Sequence, residues 1–133
     1  MKIAIVSGYF NPLHVGHLDY IEAAKALADK LIVIVNSDYQ VTLKGSTPFM
    51  READRMRIIK SLKAVDKVYL STDRDTSVLE TLKHVLVQNQ ANGRNYFMFC
   101  NGGDRSGANT PEERLCVSNS YQLTSTYNVG GNK

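Results

Sequence analysis

Cysteine is scarce in this chain of 133 residues: Cys100 and Cys116 are the only two, sixteen positions apart and outside any Cys-x-x-Cys pair. That argues against a disulfide-stapled scaffold or a zinc knuckle, and for reduced thiols in a reducing compartment. An excess of one charge is lacking too. Sixteen Lys and Arg against thirteen Asp and Glu leave a formal charge of +3, far below the basic stripes of dedicated nucleic-acid binders. The balance suits small anions, and nucleic acid is not expected as a partner. No long hydrophobic run opens the chain. MKIAIVSGYF carries an apolar stretch of about five residues, too short for a signal-peptide core or a membrane span. A soluble cytoplasmic protein with no membrane partner is expected.

Linkers rich in proline or glycine, low-complexity tracts and repeats of period 20 to 50 are missing as well, so disordered, fibrous and solenoid architectures find no support. What is present is 43% hydrophobic and 22% charged, in a length that buries one core. One domain over residues 1–133 is expected.

Residues 2–7 (KIAIVS) and 31–36 (LIVIVN) are near-continuous Ile- and Val-rich runs, as in strands covered on both faces. Between them Leu18, Ile21, Leu27 and Leu31, with alanines interspersed, repeat at helical spacing. A second helix is expected over about 50–63, from Met56, Ile58, Ile59 and Leu62, followed by a short strand at 67–71 (KVYLS). A third carries Val78, Leu79, Leu82, Val85 and Leu86, capped by Asp75 or Thr76. YFMFC at 96–100 reads as a buried strand, Thr110 and Pro111 as a helix start, and YQLTSTY as the last strand. The alternation predicts an α/β fold: a Rossmann-like, doubly wound, parallel five-stranded sheet. Ligands of such sheets lie beyond the carboxyl ends of the strands, and the segments leaving those ends collect glycine, histidine, lysine and arginine.

The first of these segments, SGYFNPLHVGHLDY, sets His14 and His17 around Gly16 where a strand gives way to a helix. Gly8 is expected to let the chain turn, with Asn11 and Pro12 as turn residues. A helix start presents unpaired N–H groups and a partial positive charge, a place for phosphate. Gly16 removes a side chain that would block its approach. Two imidazoles beside an anion donate hydrogen bonds, and the anion favours their protonated forms. Capping or solvated histidines are the bland alternative, and a metal site the other functional one. Two ligands at i, i+3 with no nearby carboxylate or cysteine fall short of a zinc set.

The string G-Y-F-N-P-L-H-V-G-H resembles the G-x-F-[DN]-P-x-H-x-G-H signature of the nucleotidyltransferase superfamily, in its cytidylyltransferase-like branch. LIVIVNSD, LKG at 43–45, Pro48, Arg55, AVDKV at 64–68 and GGD at 102–104 extend the likeness to small cytidylyl- and adenylyltransferases acting on glycerol phosphate or heptose phosphate. The resemblance implies transfer of a nucleoside monophosphate from ATP or CTP to a phosphorylated small molecule, with Mg²⁺ accompanying the triphosphate. A homodimer is implied as common among small relatives. His14, His17 and Lys44 would be catalytic. Gly8, Tyr9, Phe10, Gly16, Gly102, Gly103, Asp104 and Arg105 would join the histidines in binding nucleotide. Lys44 and Arg55 would face the acceptor. His84, away from the strand ends, reads as structural.

Two departures stand out. The family's second signature, an I-S-[ST]-[ST]-x-I stretch that holds the β- and γ-phosphates, has no match. SYQLTSTY with Ser125 and Thr126 does not supply it, so a domain without that tail is expected. Asn101 stands where the heptose enzymes often carry lysine before GGD, and TPEE at 110–113 has no assigned place. The missing signature gives the reading a rival, a nucleotide-binding module without catalysis. A histidine-metal hydrolase is a third.

Overall fold

Runs of β-branched residues make the central strands here because those strands are covered on both faces. The computed structural model describes residues 1–102, 112, 115 and 122–129. The described elements are β1 (Lys2–Gly8), α1 (Val15–Ala26), β2 (Lys30–Val35), α2 (Asp38–Leu43), α3 (Glu52–Lys60), β3 (Lys67–Leu70), α4 (Leu79–Gln88), β4 (Tyr96–Gly102) and β5 (Leu123–Val129). The strands form one sheet in the order β3-β2-β1-β4-β5, and every pairing is parallel. Ile5 on β1 lies opposite Ile32 on one side and Phe99 on the other.

The pleat divides the core in two. Ile3 and Ile5, with Ile32 and Ile34, pack on Leu82, Val85 and Leu86 of α4. Ala4 and Val6, with Val33 and Val35, pack on Ile21 and Ala24 of α1 and Ile59 of α3. Helices thus cover both faces, as the alternating sequence pattern requires. From β1 the chain moves outward through β2 to β3, then returns to lay β4 on the other flank of β1. The strand order reverses between β1 and β4, which makes their carboxyl ends the expected ligand edge.

The doubly wound five-stranded sheet is as the sequence predicts, with local differences. Helix α2 was not foreseen, because six residues offer too little periodicity; its start is nonetheless written in Ser37-x-x-Gln40, a capping box in which the Ser37 hydroxyl accepts from Gln40 N–H. Helix α4 is not capped by Asp75 or Thr76. Asp73 performs that task, accepting Glu80 N–H at 2.8 Å and Thr81 N–H at 3.0 Å, while Asp75 closes a local turn onto Ser77. The last strand begins two residues later than expected. Gln122 sits at φ 56°, outside strand geometry, and its side-chain amide is spent on the Gly93 and Asn95 carbonyls. The helix start expected at Thr110 and Pro111 lies outside the described residues. His84 rides on α4 edge-on to Tyr69, with ring centroids 6.2 Å apart. Among the described residues no helix is long and apolar enough to cross a membrane.

Candidate functional site

Leaving β1, the chain turns at Phe10 rather than at Gly8. Phe10 takes a left-handed φ of 51° and buries its ring to 1% exposure, while no such φ is found at Gly8. Gly8 is needed for space: a Cβ there would come within 2.7 Å of the Phe10 ring tip. The turn continues through a cis Asn11–Pro12 peptide into α1. Asn11 fastens the opposite wall. Its Oδ1 accepts Phe49 N–H at 2.6 Å and its Nδ2 donates to the Thr47 carbonyl at 3.1 Å, tying the segment before α3 across the mouth.

His14 is the N-cap of α1, and His17 is its third residue. Gly16 N–H donates to His14 Nδ1 at 3.0 Å, and His14 N–H donates to His17 Nδ1 at 3.1 Å. This is a capping box built from imidazoles in place of the usual hydroxyl and carboxylate. An amide N–H can only donate, so each Nδ1 must offer its lone pair, and each ring carries its hydrogen on Nε2. The rings stack with centroids 3.8 Å apart at 25°, and Phe10 meets His17 edge-on at 5.0 Å. Burial lowers the pKa of His17 below its ordinary value, and neighbouring His14 lowers it further.

Both rings are thereby set as Nε2–H donors, because protonating Nδ1 would break the cap. Gly16 is demanded first by His14, since a Cβ at position 16 would lie 2.9 Å from the ring's Cε1 and 3.1 Å from Nδ1.

Arg55 also differs from expectation. The resemblance assigns it to the acceptor, yet its side chain is 0% exposed. Nε donates to the Met50 carbonyl at 3.0 Å, Nη1 to the Tyr9 and Asn36 carbonyls at 2.7 Å each, and Nη2 to Asp38 Oδ1 at 2.6 Å. The guanidinium therefore clamps the exits of β1 and β2 to each other and to α3. Gln40, fully buried, works beside it. Its Oε1 accepts from Asn36 Nδ2 and Ser37 N–H, and its Nε2 donates to the Asp75 and Ser77 carbonyls. Sequence reasoning missed Asn11, Asn36, Asp38 and Gln40 as site builders; of these only Gln40, through the Ser37 box, had a local signal.

Two cavities open at this edge. The smaller, about 390 Å³, is lined by both histidines, Phe10 and Asn11. The larger, about 510 Å³, runs over the ends of β1, β2 and β4. Tyr9 and Lys44 line both. Lys44, just past α2, holds its ammonium 4.5 Å from the centre of the Tyr9 ring. The structure thus gathers Gly8, Tyr9, Phe10, His14, His17 and Lys44 at the expected edge. Gly102 ends β4 there, whereas Gly103, Asp104 and Arg105 lie outside the described residues. Among the described residues no group of three or more His, Cys, Asp or Glu could hold a metal ion. The described side chains build no protein cage for Mg²⁺.

Residues 5–107 match the family model described as cytidylyltransferase-like. The bifunctional protein HldE of Methylobacillus flagellatus is 42% identical over 79 residues, covering 58% of this chain and 16% of that protein. The FAD synthase of Methanosarcina barkeri is 38% identical over 85 residues, covering 64% of this chain and 59% of that protein. The chain therefore matches under two thirds of either curated relative. In fold it is similar to the lipopolysaccharide core biosynthesis protein of Thermoplasma volcanium, with a TM-score of 0.78 at 22% identity over 99% of both chains.

Proposed function

This chain belongs to the cytidylyltransferase-like family, and from that premise we propose that it is a nucleotidyltransferase. It transfers a nucleoside monophosphate from ATP or CTP to a sugar or polyol phosphate and releases pyrophosphate. The observation that carries the reading is the histidine capping box, which leaves two neutral Nε2–H donors beside the Lys44 ammonium at the ligand edge of the sheet.

The chemistry asks for nothing more nucleophilic than the acceptor itself. A phosphate monoester has its second pKa near ~6, so at neutral pH an oxygen of its dianion attacks the α-phosphorus without a strong base. A bond forms from that oxygen to phosphorus, the bond to the bridging oxygen breaks, and its electron pair leaves with pyrophosphate. Negative charge grows on the α-phosphate oxygens and the leaving group, and preorganised donors relieve it. His14 and His17 donate to these oxygens, and Lys44 spans donor and acceptor. Mg²⁺, brought in on the triphosphate's own oxygens, supplies further charge neutralisation when bound.

Pyrophosphate release, measured with ATP, CTP, GTP and UTP against a panel of sugar and polyol phosphates, tests the reading. Turnover with ATP or CTP is expected. Nucleotide binding without release for every acceptor would leave a binding module instead.

A further inference from the structure

Gln40 is uncharged, fully buried and absent from the lining of both cavities, yet it joins three segments that line the larger one. Its Oε1 accepts from Asn36 Nδ2 and Ser37 N–H at 3.0 Å each, and its Nε2 donates to the Asp75 and Ser77 carbonyls at 2.7 Å each. A glutamine amide offers two hydrogens and two lone pairs, and here all four are used. Asn36 at the exit of β2, Lys44 just past α2, and Asp75, Thr76, Ser77 and Val78 before α4 are all cavity-lining residues on the segments so joined.

The stretch 74–77 depends on this pin. Its flanks are fixed from elsewhere: Asp73 accepts the Glu80 and Thr81 amides, and Val78 N–H donates to Glu112. Between those anchors Arg74, Asp75 and Thr76 are exposed, and the Asp75 carboxylate bonds only locally, to Ser77. Arg74 stacks 4.0 Å over the Tyr39 ring on α2, but that ring is exposed too, and an exposed contact of this kind is weak. The Asp75 and Ser77 carbonyls face inward onto Gln40. Without its amide they would find water only by swinging outward, since a buried carbonyl left unpaired costs free energy.

A loose wall must be ordered at the moment a ligand binds, and that cost is subtracted from affinity. We propose that Gln40 is a positioning residue that presets the larger cavity: it locks the β2 exit, the helix leading to Lys44 and the 74–77 stretch into one wall before any ligand arrives. Arg55 has a different task, because its bonds go to the Tyr9, Asn36 and Met50 carbonyls and to Asp38, and none reaches 74–77. The kinetic consequence rests on the transfer reading above; the ordering of the wall does not.

Gln40→Glu separates the two halves of the junction. A glutamate still accepts from Asn36 and Ser37, as capping boxes take either residue, but its carboxylate turns a lone pair towards the Asp75 and Ser77 carbonyls. Hydrogen–deuterium exchange of the unliganded protein should speed up about tenfold or more over 74–77 and stay unchanged in β1 and β2. The KM for nucleotide or acceptor should rise about tenfold with kcat within about threefold of the wild type. Ser37→Ala is the control. It removes the hydroxyl that accepts Gln40 N–H at 3.2 Å and weakens the start of α2 without touching the pin. It should lower the melting temperature and leave both the exchange of 74–77 and the KM values as they were. If Gln40→Glu does not fold, Gln40→Met, uncharged and of similar volume, carries the same test. Unchanged exchange over 74–77, unchanged KM values, or the same KM rise in Ser37→Ala overturns the proposal. A wild type that releases no pyrophosphate sinks the transfer reading instead; the exchange measurement then stands, and Kd values for ATP and CTP from ligand-observed NMR take the place of KM.

Discussion

His17 Nδ1 accepts the backbone N–H of His14 at 3.1 Å while the two rings stack at 3.8 Å, so each histidine fixes the other's position. The same bonds that cap the helix settle which nitrogen of each ring carries the hydrogen. Removing either ring should therefore separate two effects. His14→Ala deletes an N-cap acceptor and should cost about 1 kcal/mol, a fraction of a typical domain's stability. His17→Ala should cost less than about 1 kcal/mol, because water reaches the freed amide. Turnover should fall by about 100-fold or more in each. Urea unfolding run beside pyrophosphate release checks this; near-wild-type turnover in His17→Ala would remove the basis of the transfer mechanism.

The lowered pKa of His17 has a pH signature. In the unfolded chain the ring titrates at its ordinary 6.5, and in the folded protein it titrates lower, chiefly through burial and then through His14. Between those two values the unfolded state binds more protons, so stability falls as pH drops through that window and is unaffected by this ring above it. Melting curves of the wild type and His17→Ala from pH 7.5 down to 5 should show the wild type losing more on acidification. Parallel curves would mean that the ring is not held neutral by the fold.

Gly16 faces the same pair from the other side. An added Cβ meets the His14 ring at 2.9 Å, and the ring is pinned at Nδ1 by the Gly16 amide itself. Gly16→Ala should push the imidazole out of line, and the cap bond lost, worth about 1 kcal/mol, is offset by the about 1 kcal/mol that alanine gains over glycine in a helix. Misplacing a catalytic group by about 1 Å costs about 100-fold, so kcat should fall towards that figure with an unchanged melting temperature. A variant with full turnover would show that the ring position is not critical.

The sheet was legible because its central strands are continuous apolar runs and α4 carries a broad apolar face. Val33 and Leu82 announce their burial by their neighbours. The histidines were legible as a pair because their spacing is local. What the sequence hid is long-range polar bonding. Nothing in M-R-E-A-D-R-M-R-I-I-K marks Arg55 apart from Arg51 or Arg57, since its partners Tyr9, Asn36 and Asp38 lie 46, 19 and 17 positions away. Asp73 and Asp75 are likewise two candidate caps in one loop, and the choice between them depends on where Ser71 and Thr81 sit in space. Glu112 was unreadable for the same reason: its bond to Val78 spans 34 positions.

Arg55 offers the sharpest distinction between a ligand contact and a scaffold. Its charge lies out of solvent and is met by one carboxylate, and its other donors hold the Tyr9, Asn36 and Met50 carbonyls. Lysine keeps the charge but not the planar fork, so Arg55→Lys would satisfy Asp38 at best and leave the carbonyls of two strand exits unmatched. Breaking a buried charged cluster costs about 3 kcal/mol or more, and the urea midpoint should shift accordingly with an unchanged slope. Because Tyr9 borders both cavities, the loosened clamp should weaken nucleotide and acceptor binding together. An arginine that served only the acceptor would act otherwise: Arg55→Lys would stay as stable as the wild type and raise the acceptor KM alone. The measured pair of stability and KM values decides between the two.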